Sequence, residues 1–105
     1  MMTLSQLYTE LKTLKLPVAY GAFIKQTALP FIVYFESGAA DILADNENFV
    51  GVSDVVVEFY SKAKDATNEA ALEKLFKDNE IIFDKTESFL KDEACHCSIY
   101  NIQII

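Results

Sequence analysis

A chain of 105 residues with 51% apolar and 12% aromatic side chains has the size of one domain and enough apolar material for a packed core, which excludes disorder. Sixteen acidic residues face nine cationic ones, for a net charge of −7, and all nine cations are lysine. Without the arginine fork that grips phosphate and guanine, and with too few cations for one basic face, direct nucleic-acid binding is disfavoured. The opening residues Met1-Met2-Thr3-Leu4-Ser5-Gln6 lack the basic start and apolar run of a signal peptide. The longest apolar run, Ala28 to Phe35, is interrupted by Pro30 and is far shorter than the roughly 20 residues a membrane span needs. The expectation is a soluble chain made in a cytoplasm, one domain over 1–105, with no membrane partner.

In chain order, Thr3 and Gln6 have capping-box spacing, and Leu4, Leu7, Tyr8, Leu11 and Leu14 then recur at three- and four-residue steps. This predicts a helix ending before Pro17. Val18 to Ile24 and Phe31 to Glu36 read as strands, joined by a polar link containing Lys25, Gln26 and Thr27, with Pro30 suited to the start of the second. Phe31 to Phe35 is apolar on both faces, which places it in the middle of a sheet. Ser37 to Asn48 is polar and acidic, with Ile42 and Leu43 inside it, and reads as a strand that leaves the sheet plane.

Val52 to Ser61 alternates cleanly: Val55, Val57 and Phe59 point one way, Asp54, Val56, Glu58 and Tyr60 the other. Asp65 predicts the N-cap of a second helix reaching Asp78, with Ala71, Leu72, Leu75 and Phe76 as its buried stripe and Asn79 closing it in the left-handed conformation. Strands follow over about Ile81 to Phe89 and Ala94 to Ile105. The order α-β-β-β-β-α-β-β predicts an α+β fold, two helices on one face of a mainly antiparallel sheet in a two-layer sandwich.

No constellation here carries an evident chemistry. Cys95-His96-Cys97 lies on a strand, so the two thiols face one way and the imidazole the other; they cannot converge on one ion. Buried free thiols are the expected state. His96 is the only histidine, and three glycines supply no phosphate-cradling loop. The expectation is therefore no catalytic residue, no cofactor and no metal, with interaction as the remaining function. Tyr34, Val56, Tyr60 and Tyr100 are expected on the sheet face away from the helices, where exposed aromatic groups mark protein partners. The β-prone end Asn101-Ile102-Gln103-Ile104-Ile105 is either an interior strand or covered by a neighbouring subunit.

The short leucine-rich helix, Leu16-Pro17-Val18-Ala19-Tyr20-Gly21-Ala22-Phe23, Leu29-Pro30-Phe31-Ile32-Val33-Tyr34 and Ala44-Asp45-Asn46 together resemble a family of small prophage proteins. Val57-Glu58-Phe59-Tyr60-Ser61-Lys62, the helix after Lys64-Asp65, and Phe83-Asp84-Lys85-Thr86-Glu87 extend the resemblance over the whole chain. These are tail terminators (tail-completion or tail-to-head joining proteins) of phages with long flexible tails. The resemblance implies a structural protein, not an enzyme, that forms a hexameric ring on the major tail protein and meets the head–tail connector proteins. It places the chain in the virion neck after assembly in the host cytoplasm, and leaves the isolated chain free to be a monomer. Heterologous ring contacts then fall to the open sheet face and the 37–50 segment: Tyr34, Asp45, Asn46, Phe49, Val56 and Tyr60. The acidic excess suggests that Glu36, Asp41, Asp45 and Glu47 line the DNA channel and repel phosphate. The rival readings are a head-side joining protein, a small acidic inhibitor or DNA mimic of a mobile element, and a small enzyme using His96 or a thiol. The interspersed lysines Lys62, Lys64, Lys74, Lys77, Lys85 and Lys91 count against mimicry.

Overall fold

The computed structural model describes residues 2–37 and 53–104. Among these residues two α-helices and a five-stranded sheet make the expected α+β fold: α1 (Leu4–Lys12), β1 (Val18–Tyr20), β2 (Phe31–Glu36), β3 (Ser53–Ser61), α2 (Ala66–Asp78), β4 (Phe83–Leu90) and β5 (Cys95–Ile104). The sheet order is β1-β2-β3-β5-β4; every neighbouring pair is antiparallel except β1 with β2. The additional strand expected within 37–48 falls almost wholly outside the described residues.

Local chemistry sets the helix starts. Thr3 Oγ1 accepts from the Gln6 amide at 3.1 Å while Gln6 Oε1 accepts from the Thr3 amide at 2.8 Å, the reciprocal bonds of a capping box. Asp65 caps α2 by accepting from the Asn68 amide at 3.1 Å. The end of α2 corrects the expectation for Asn79. Its φ is −100°, and the left-handed residue is Glu80, at φ 57°. The Glu80 amide donates to Lys77 O and the Ile81 amide to Phe76 O, which is a Schellman closure one residue later than expected. Asn79 contributes instead through its side chain, donating to Leu75 O at 2.9 Å.

The first strand is shorter than the expected Val18 to Ile24. Gly21, at φ 79°, turns the chain off the sheet after Tyr20, donating to Tyr34 O at 2.8 Å, and the Ala22 amide folds back on Tyr20 O. The connection 21–30 then returns to begin β2 alongside β1, reaching Pro30 through a cis Leu29–Pro30 bond. β2 is flanked on both sides, as its two apolar faces require, but the central strand by position is β3.

Both helices lie on one side of the sheet. Leu7 and Leu11 of α1, and Leu72, Leu75 and Phe76 of α2, share one core with Ile32, Tyr34, Val55, Val57, Phe59, Tyr100, Ile102 and Ile104. Register explains the membership: Tyr34 pairs with Val57 and Tyr100 with Val57, so all three point to the helices. The expectation that Tyr34 and Tyr100 face away from the helices is thereby corrected. Tyr34 packs between the Tyr8 and Tyr20 rings, and Tyr100 between Phe76 and Phe83. β5 is an interior strand between β3 and β4, so the apolar C-terminal stretch to Ile104 is satisfied within the sheet. Among the described residues no helix is long and apolar enough to cross a membrane.

Candidate functional site

The side of the sheet away from the helices carries the other residues of each strand: Phe31, Val33 and Phe35 from β2, Asp54, Val56, Glu58 and Tyr60 from β3, and Cys97, Ile99 and Asn101 from β5. Among the described residues no helix covers them. Phe31 stacks on Tyr60 with centroids 5.2 Å apart, and Phe23, from the connection after β1, stands edge-on to Phe31 at 5.1 Å. The connection thus lies over one end of this face and forms a groove of about 450 Å³, floored by Phe31, Val33, Glu58 and Tyr60 and lined also by Glu93. Ile24, at its tip, is wholly exposed. Val56 and Tyr60 are half-buried here, on the face where the sequence places them. Tyr60 donates to Glu58 Oε1 at 2.8 Å, and burial together with that bond pushes its phenol well above the usual range.

Of the remaining expected contact and channel residues, Glu36 ends β2 exposed, and its amide donates to the Tyr20 hydroxyl at 3.1 Å. Asp41, Asp45, Asn46, Glu47 and Phe49 lie outside the described residues.

The second notable site is a cluster of charge on the helix side, at the junction of α2 with β4 and β5. Glu69 is 2% exposed, and its Oε1 accepts from Lys85 Nζ at 2.6 Å and Lys64 Nζ at 2.7 Å. Lys85 also donates to Glu73 Oε2 at 2.8 Å, which accepts from the Tyr100 hydroxyl at 2.9 Å. Lys64 reaches Glu87 Oε1 at 2.7 Å, and His96 Nε2 lies 3.0 Å from that same oxygen. Burial works against the Glu69 charge, yet the two ammonium groups outweigh it and bring its carboxyl down to about 2. Burial likewise opposes charge on Lys85, and its bonds to Glu69 and Glu73 hold it above the ordinary lysine range. Three buried atoms in the cluster have no hydrogen-bond partner: Glu69 Oε2, His96 Nδ1 and Ser98 Oγ, the first two 3.9 Å apart.

Glu69, Glu87 and His96 each offer one ligand atom within 4.8 Å of the others. A divalent ion there would have to displace the ammonium groups that already neutralise both carboxylates, since Lys64 bridges them. Sequence reading missed this group because its members come from three elements. One signal was present: Glu69 stands three and seven residues before Leu72 and Phe76, on the apolar stripe of α2, where a carboxylate needs a partner.

The cysteine pair behaves as expected from alternation. Cys95 and Cys97 are buried, free and on the side away from the helices, while His96 faces α2. Burial raises both thiols, Cys97 to about 11, which leaves little thiolate at neutral pH. Comparison with protein-family models, with curated proteins and with solved structures finds no match to this chain.

Proposed function

We propose that the protein is a structural subunit of a phage tail, which caps the tail tube as a ring and joins it to the head connector. The observation that carries this reading is the sheet face that no helix covers among the described residues. It is mostly aromatic and aliphatic (Phe31, Phe35, Val56, Tyr60, Ile99), with Glu58 among these residues on the central strand, and such a face suits burial against other protein. The neighbours would be a second subunit, the major tail protein and the connector. The arginine-free excess of negative charge fits a ring through which DNA passes without adhering. The buried, protonated thiols and the carboxylates neutralised by lysine favour a structural role over a catalytic one.

The test is tail length by electron microscopy in lysates of the parent phage lacking this gene. Overlong, headless tubes are the expected result. Full heads beside separate tails of normal length would move the protein to the head side of the joint. Intact infective particles would overturn the structural reading and favour an acidic inhibitor. For the channel, replacing two of Glu36, Asp41, Asp45 and Glu47 by lysine should slow genome ejection while tails still assemble; unchanged ejection would count against a channel lining.

A further inference from the structure

The sheet ends in two unlike edges. β1 is three residues long, whereas β4 runs for eight, Phe83–Leu90, and among the described residues no strand pairs with its outer side. An edge of that length offers a row of free amides and carbonyls to another chain. Apolar side chains stand along it: Phe89 is 56% exposed and Ile82, just before the strand, 87%. Charged residues commonly guard such an edge, and Lys85 and Glu87 stand on it with their charged ends turned to the helix side, Lys85 on Glu69 and Glu73 and Glu87 on Lys64. Their spacing, however, makes the strand complementary to itself.

We infer that β4 is a homodimerisation edge, pairing antiparallel with β4 of a second copy in the register centred on Thr86. In an antiparallel pair whose two sheets share a helix side, residues opposite one another come from the same face, so allowed registers step by two. Centred on Thr86, Lys85 stands opposite Glu87 of the second copy and Glu87 opposite its Lys85. Phe83 meets Phe89, Ile82 meets Leu90, and Asp84 meets Ser88, each pair occurring twice. The neighbouring registers fail on charge. Centring on Lys85 sets lysine against lysine, and centring on Glu87 sets glutamate against glutamate. Opposite charges and aromatic pairs directly across strands stabilise pairing, and like charges oppose it. One register therefore joins the ionic and apolar matches, and the partner that fits is another copy of this chain. The contact would be isologous and closed at two, extending the five strands of each copy into a ten-stranded sheet. It uses neither the helix-free face nor the tail reading, and stands or falls apart from them.

The experiment is sedimentation equilibrium of the full chain across concentration, with four single variants. The wild type should show a reversible monomer–dimer equilibrium. Ser88→Asp places a carboxylate opposite Asp84 twice per dimer and should raise the dissociation constant roughly tenfold, whereas Ser88→Lys should lower it by a similar factor. Both substitutions are at an exposed position outside the Lys64–Glu69–Lys85 cluster. Thr86→Cys brings two thiols directly across the two-fold axis and should give a covalent dimer on mild oxidation, while Asp84→Cys should not. A monomer at every concentration, equal effects of the two Ser88 variants, or cross-linking through Asp84→Cys in place of Thr86→Cys would overturn the proposal.

Discussion

The two faces of the sheet are built from alternate residues of the same strands, yet they do different work. In β3, Val55, Val57 and Phe59 are no more than 1% exposed beneath the helices, while Val56, Glu58 and Tyr60 between them are half-buried on the other side. On the helix side even one carboxylate is enclosed: Glu69 sits among lysines and packed apolar groups. The difference separates two demands on one short chain. Cohesion is concentrated on one face, which leaves the opposite face free to hold apolar side chains at small cost to folding.

Truncating one large side chain on each face puts this contrast to its most severe test. Phe59→Ala opens a cavity in the closed core and should cost about 3–5 kcal/mol in urea unfolding. Tyr60→Ala, its immediate neighbour, loses a half-exposed stack on Phe31 and a bond to Glu58, and should cost about 1 kcal/mol. Equal losses would mean that the second face is as closed as the first.

The charge cluster gives the next effect. Glu69→Ala removes the shared acceptor of Lys64 and Lys85 and should cost about 2 kcal/mol, measured by the same unfolding curves. Its pH dependence has a definite sign. The Glu69 carboxyl lies at about 2 when folded, against 4.5 for an ordinary glutamate, so its stabilisation is complete above about 4.5 and lost as pH falls toward 2. In Glu69→Ala the acid limb of the stability profile should flatten over that window. Lys85 acts in the opposite sense: raised when folded, it contributes fully below 10.5 and loses that contribution as pH rises further.

Smaller still is the expected effect of Val56→Lys on the helix-free face. Its stability should change by less than about 1 kcal/mol, because the lysine stem lies along the sheet while the ammonium reaches water. On the proposed tail reading, assembly in the parent phage should nonetheless fail; normal assembly would detach the open face from that reading. A last measurement leaves stability untouched. At pH 8 Cys97 should react with iodoacetamide about a hundredfold more slowly in the folded chain than in the unfolded one, because it is buried and its thiol is pushed up to about 11.

The features legible in the amino-acid order alone are local or periodic. The Thr3–Gln6 box and the Asp65 cap could be read there because their bonds span three residues. The alternation through β3 was legible because the pleat has period two, and it correctly split Val56 and Tyr60 from Val55, Val57 and Phe59. The α+β class followed from the order of such elements.

Other features depend on partners distant in the chain, and these emerged only from the folded arrangement. Tyr34 lies in a strand apolar on both faces, so periodicity alone does not orient it; its pairing with Val57 does. Tyr100, by contrast, alternates with the exposed Asn101 and Gln103 beside Ile102 and Ile104, a signal present in the residue order that pairing with Val57 bears out. The early end of β1 came from Gly21 at positive φ, and the end of α2 from Glu80 accepting a left-handed backbone that Asn79 did not need. The Glu69 cluster hydrogen-bonds groups up to 27 residues apart, and the Lys85–Glu87 alternation acquires meaning only once the sheet order leaves β4 at an edge. Short-range hydrogen bonding and periodic burial are written in neighbouring residues, whereas sheet order and register are set by which long-range pairings bury the most surface, and those pairings decide which side chains meet.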